Sequence, residues 1–201
     1  MFNQYSISLP ETLEMNPSSG EILFKLQNNM FIYARLFSCE NVDTDELIDL
    51  IDKSIEEKNN IVYAVIPENI IPPITVCATG IIYYWDIVLK KAQKIRIKKK
   101  PLLLLSIIYA KKQLIEIIRL IKEFRNKRSY VLFSCMCQDH QSCHNNIILE
   151  KTCSKVAWPT NIDYSILASI YNVDTKSFKT KIDLEKKIIS KISEFIARTY
   201  Y

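Results

Sequence analysis

Only two residues of this 201-residue chain, Gly20 and Gly80, are glycine. Glycine adopts positive φ at no steric cost, so most tight corners of this fold must be built by other residues. Asn, Asp, Ser and Pro are the alternatives, and they stand between apolar runs, as at Gln27-Asn28-Asn29 and Glu68-Asn69. With 48% apolar and 24% charged residues, the chain has the make-up of a folded globular protein. Its length suits one full domain, or one domain with a small appendage. The heavy use of Ile, Lys, Asn and Tyr fits an AT-rich genome, such as that of a virus, plasmid or protist.

Residues 1–20 carry Pro10 and Pro17 and read as an irregular lead-in. Glu21–Leu26 and Met30–Phe37 are β-rich runs around a Gln-Asn-Asn turn, the pattern of a hairpin. Thr44 caps a predicted helix with apolar residues at 47, 48, 50, 51 and 55. Ile61–Ile66, ended by Pro67, reads as a buried strand, and Ile74–Ala78 as another. Ile81–Leu89 is apolar and aromatic, with Tyr83, Tyr84 and Trp85 either core or base-stacking residues. Leu102–Leu105 is a short strand candidate, Tyr109–Phe124 a helix, Tyr130–Ser134 a compact strand, and Asn145 to about Cys153 a helix. Strand, helix, strand and helix over 102–153 predict a βαβα unit with parallel strands. The fold class expected is α/β, a parallel or mixed sheet flanked by helices with a small helical C-terminal appendage. The division expected is an α/β domain over 1–157 and a helical module over 164–201, with Trp158-Pro159 at the boundary.

Charge is unevenly divided. Residues 1–80 hold 4 Lys/Arg against 12 Asp/Glu, and residues 81–201 hold 23 against 10. A modest overall +5 therefore hides a basic half suited to a polyanion, or to attraction between the halves. Lys90–Lys100 has seven cations in eleven positions, and Lys94, Arg96, Lys98, Lys99 and Lys100 are its candidate phosphate contacts. An alternating edge strand, guarded by lysines against sheet-to-sheet pairing, is the competing reading. The opening Met1-Phe2-Asn3-Gln4-Tyr5 lacks the basic and apolar regions of a secretory signal. No run of about 20 uncharged apolar residues occurs. The expectation is a cytoplasmic protein without a membrane partner, whose six cysteines are thiols or ligands more than disulfides.

The densest chemistry lies in Cys135-Met136-Cys137-Gln138-Asp139-His140-Gln141-Ser142-Cys143-His144, with Glu150 and Cys153 beyond. Three readings compete. Cys135, Cys137, Cys143 and His144 are a ligand set for zinc, although Cys-x-Cys and adjacent Cys-His are poor versions of the usual Cys-x2–4-Cys spacing. A thiol beside an imidazole at a helix start becomes a thiolate near neutral pH, which suits a reactive pocket. Cysteine is also a small buried hydrophobe, the role expected of Cys39, Cys77 and Cys153. A parallel strand ending at Cys135 places the segment where α/β sheets collect ligands.

Tyr130-Val131-Leu132-Phe133-Ser134-Cys135, followed by Asp139, Cys143-His144 and Glu150, resembles the C-terminal motif of the DUF488 family. The Cys135-x-Cys137 and Cys143-His144 pattern is similar to one in the DUF4326 family. The resemblance spans about residues 105–155, with Cys137 where the first family has Glu and Asn145 where it has Arg. It implies an α/β fold and a pocket, without an established reaction. In that pocket Cys135 and Cys143 shape or react, His144 carries a proton and Glu150 fixes the imidazole or a ligand. The tail over 164–197 resembles the helix–extended-loop–helix of SAP-like and Rho N-terminal modules, which bind nucleic acid. That resemblance implies phosphate contacts from the lysines of 176–187, Lys179 and Lys181 among them. The leading expectation is thus a nucleic-acid-associated protein with a Cys/His pocket, and the alternative is a non-catalytic, zinc-stabilised binding or assembly factor.

Overall fold

The structure, a computed structural model, describes residues 10–40, 44–55, 60–90, 97–124, 128–138, 149, 152–175 and 178–201. Six strands form one sheet: β1 (Thr12–Asn16), β2 (Glu21–Lys25), β3 (Phe31–Glu40), β4 (Ile61–Pro67), β5 (Arg128–Cys137) and β6 (Ser154–Lys155). Six helices lie among the described residues: α1 (Thr44–Ile55), α2 (Ile74–Leu89), α3 (Lys100–Ile108), α4 (Leu114–Glu123), α5 (Tyr164–Ile170) and α6 (Lys181–Tyr200). None of the described helices is long and apolar enough to cross a membrane.

The strand order is β1-β2-β3-β5-β4, with β6 also on β3, and every pair is antiparallel. This overturns the expected parallel or mixed sheet. The predicted strand at Leu102–Leu105 is the interior of α3, whose Pro101 suits the first helical turn because the missing N–H is unpaired there anyway. With that strand gone, no βαβα unit remains. β5 instead lies between β3 and β4, and both run against it, from Phe31 opposite Cys137 to Glu40 opposite Arg128, and from Ile61 opposite Cys135 to Pro67 opposite Ser129. Cys135 is therefore near the end of a central antiparallel strand, not at the carboxyl edge of a parallel one.

The chain divides into two compact units. The first comprises Ser8–Glu68 and Arg125–Trp158 and holds the sheet and α1. On one face of its sheet, Tyr33, Phe37, Tyr63, Val65, Val131 and Phe133 cluster with Leu47 and Ile51 of α1. The alternate residues Ile22, Ile32, Leu36, Val62, Ile66 and Leu132 are buried too, so the central strands are apolar on both faces. Tyr63 donates from its hydroxyl to Asp52 Oδ1 at 2.7 Å, joining β4 to α1. The glycine-poor corners follow expectation. Gln27–Asn29 and Glu68–Ile70 are single 3-10 turns, and Asn29 takes φ 55°.

The second unit includes Asn69–Phe124 and Pro159–Tyr201 and is helical. Its core comes from α2 (Val76, Ile81, Tyr84, Trp85), all of α3 from Leu103 to Ile108, and a stripe on α6 at Leu184, Ile188, Ile192, Ile196 and Tyr200. That i, i+4 spacing keeps one face of α6 apolar, and each such side chain contributes about 1.5–3 kcal/mol on burial. The Tyr109 hydroxyl donates to Ile70 O at 3.0 Å and the Tyr171 hydroxyl to Ile108 O at 2.6 Å, which satisfies both phenols in the core. The expected helix over Tyr109–Phe124 is shorter: Ala110 turns to φ 52°, and α4 starts after Gln113, which makes a reciprocal capping box with Glu116.

Candidate nucleic-acid interface

The charge asymmetry of the sequence coincides with the division into units. Asn69–Phe124 and Pro159–Tyr201 carry 18 Lys/Arg against 8 Asp/Glu, a net +10. Ser8–Glu68 and Arg125–Trp158 carry 9 against 14, a net −5. The basic excess belongs to the helical unit, where amphipathic helices bury an apolar stripe and leave their long cationic side chains in water.

On α6, residues 187, 191, 194 and 198 fall within about 60° of one another around the axis, since each residue advances about 100°. Lys187, Lys191 and Arg198 thus form one cationic edge, interrupted by Glu194. No carboxylate among the described residues pairs with Lys187, Lys191 or Arg198. Arg198, with the aromatic Phe195 and Tyr171, lines a shallow groove of about 220 Å³ that also takes in Lys111 and Lys191. A second groove of about 330 Å³ shares Lys111 and Ile170 with the first and runs along α4 past Arg119 and Phe124. Glu116 and Glu123 temper this second groove, so the first is the more cationic. Lys111 itself donates to Ile170 O at 2.8 Å and closes the C-terminal turn of α5, the end of a helix that favours a cation.

The cations expected from the sequence are distributed less evenly. Lys98 and Lys99 are exposed ahead of α3, while Lys100 is half-buried and burial pulls its pKa below the ordinary lysine value. Lys94 and Arg96 lie outside the described residues. Lys179 is exposed, and Lys181 sets its ammonium 5.2 Å from the centre of the Tyr164 ring. Lys90 is held by Asp86 at 2.9 Å, an ion pair that raises its pKa, and rests over Tyr201. Tyr84 and Trp85 belong to the core, so of the three aromatics only Tyr83 is partly open, and its hydroxyl bonds Ser193 at 3.0 Å. Sequence reasoning missed Lys191 and Arg198. Their seven-residue spacing on the polar side of the Leu184–Tyr200 stripe was the signal available.

The Cys/His segment is only partly described. Cys135 and Cys137 stand on the α1-facing side of β5, 2% and 7% exposed, and both are disulfide-bonded. A sulfur in a disulfide is neither a thiolate nucleophile nor a thiolate ligand. Cys143, His144 and Glu150 of the expected catalytic and zinc sets, with Asp139 and His140, lie outside the described residues. Among the described residues no group of three His, Cys, Asp or Glu side chains is placed to hold a metal ion. Cys39 and Cys153, expected as small buried hydrophobes, are buried but joined as a disulfide. Cys77 is the free thiol among the described cysteines, and its burial pushes its pKa up, away from reactivity. No protein-family model matches the chain, and no curated protein matches it.

Proposed function

We propose that this protein binds nucleic acid through the helical unit and acts as a binding component, not through cysteine chemistry. The carrying observation is the division of charge: +10 on the helical unit against −5 on the sheet unit. Exposed lysines and arginines neutralise phosphates and release condensed counterions, which drives association without base reading. The groove bearing Lys191 and Arg198 adds an aromatic edge in Phe195, against which an unpaired base can stack. Acidic surface on the other unit repels the same polyanion and so confines contact to one part of the molecule. A nucleic-acid partner goes with a cytoplasmic protein, and there the Cys39–Cys153 disulfide depends on its burial for protection from cellular thiols.

The test is fluorescence anisotropy with labelled RNA and DNA oligonucleotides across a salt series. Binding at ~50 mM salt that weakens steeply toward ~200 mM is expected. Lys191→Glu with Arg198→Glu should weaken binding at least about tenfold and flatten the log–log salt slope by about one to two. Lys53→Glu on the acidic unit should leave both unchanged. No binding of any oligonucleotide at ~50 mM salt would remove this function.

A further inference from the structure

Four buried cysteines crowd one face of the sheet, and the pair Cys39–Cys153 joins residues 114 apart in sequence. Cys39 lies near the end of β3, and Cys153 immediately precedes β6. β6 is a ladder of only two residue pairs, Ser38 with Ser154 and Phe37 with Lys155. Two more backbone contacts follow: Val156 N–H donates to Leu36 O at 3.4 Å, and Trp158 N–H donates to Pro17 O at 2.6 Å. This segment fills the edge of β3 beyond the reach of β2, which pairs only from Phe31 to Arg35. So short a ladder does not by itself repay the entropy of fixing its chain. Burial of Trp158 contributes at the far end of the segment, and the covalent bond holds Cys153 at the site where β6 must dock.

We propose that the Cys39–Cys153 disulfide is a redox clasp: oxidised, it docks residues 153–158 on β3; reduced, it releases them while β3, β5 and β4 stay paired. The reductant is a low-molecular-weight dithiol or the glutathione couple. One thiolate attacks a clasp sulfur, the S–S bond breaks and a cysteine thiolate leaves. A second thiol, from the same dithiol or from a second glutathione, then attacks the mixed disulfide and displaces the other cysteine as its thiolate. Two electrons and two protons pass to the protein, and the reductant departs as its disulfide. The clasp sulfurs belong to residues only 2% and 6% exposed, so attack follows local opening of the edge. The order of stability fits: β3–β5 pairs over ten residues and β4–β5 over seven, whereas β6 pairs over two. This inference stands apart from the nucleic-acid reading.

Hydrogen exchange read by mass spectrometry on the full chain tests it, with thiol counts taken by alkylation. After reduction, peptides over 153–158 should exchange at least about tenfold faster, while β4 and β5 keep their protection. The double variant Cys39→Ser/Cys153→Ser should show the released state without reductant, and Cys77→Ser should remain like the parent. Unchanged exchange in 153–158 once Cys39 and Cys153 alkylate overturns the clasp. So does release on reduction that the double variant fails to reproduce, because Cys135 or Cys137 would then be responsible. Equal loosening of β4 and β5 would make the bond a global staple and overturn the local mechanism.

Discussion

A Cβ on Gly20 would lie 2.1 Å from the carbonyl oxygen of Val156. The two strands that share the edge of β3 meet here, β2 beginning at Glu21 and β6 ending at Lys155. Gly20 N–H and C=O geometry is set by φ +70°, and its carbonyl accepts from Leu36 N–H at 2.9 Å. One of the chain's two glycines is therefore placed where both a left-handed backbone and a missing side chain are needed. Gly20→Ala meets a backbone atom, which cannot rotate aside. We expect a loss of roughly 2–4 kcal/mol, seen as a lower denaturant midpoint at unchanged slope. A midpoint equal to the parent's would show that the edge of β3 tolerates a shifted Val156.

How far the fold was legible depends on periodicity. α1 was readable because Leu47, Ile48 and Ile51 repeat at helical spacing after an acidic first turn, Asp45 and Glu46. β4 and β5 were readable as short apolar runs bounded by turn residues. α2 and α3 share that all-round apolar character, which hides the period: Ile74–Ala78 within α2 and Leu102–Leu105 within α3 read as strands, and length is the better arbiter. β1 gave no signal, since all five of its residues are exposed and its place in the sheet comes from pairing with β2. For the site, the sign and size of the charge asymmetry were plain in the sequence, but its boundary was not. The basic unit is discontinuous, and nothing in the sequence tells that Asn69–Phe124 and Pro159–Tyr201 form one body. The Cys39–Cys153 bond was hidden for the same reason, its partners being 114 residues apart.

Tyrosine burial sets an alkaline limit on stability. Tyr109 and Tyr171 have pKa values raised well above 10, chiefly by desolvation. Burial raises Tyr84 as well, and raises Tyr33 and Tyr63 together with hydrogen bonds to Glu21 and Asp52. The unfolded chain releases each phenolic proton near pH 10, while the folded chain retains it to higher pH. The native state binds more protons in that window, so stability is full below about pH 10 and falls as pH rises beyond it. Each such tyrosine withdraws up to about 1.4 kcal/mol per pH unit. Thermal melts followed by circular dichroism should drop steeply above about pH 10, with tyrosinate absorbance rising in the same transition. Tyrosinate forming ahead of unfolding would contradict the burial of these rings.

Glu185 on α6 ties three helices of the helical unit together. Its carboxylate accepts from the Thr75 hydroxyl of α2 at 2.7 Å and from the Tyr164 hydroxyl of α5 at 2.6 Å. Both bonds are charge-assisted and partly shielded, and the Tyr164 pKa is raised by burial and by this carboxylate. α5 is only seven residues long, capped by Asp163, whose side chain accepts from Ser165 N–H and Ile166 N–H. Its position rests on few other polar bonds, Lys111 to Ile170 O among them. Glu185→Ala should cost about 1–3 kcal/mol, since it leaves two hydroxyls short of an acceptor. Glu185→Gln keeps an acceptor for one of them and should cost about half as much. Because Tyr171 and Ile170 line the groove that holds Lys191 and Arg198, loosening α5 should also weaken oligonucleotide binding beyond what the charge change predicts. Removing a negative charge alone would strengthen it, so weaker binding by Glu185→Ala at a temperature where it stays folded assigns the effect to the position of α5.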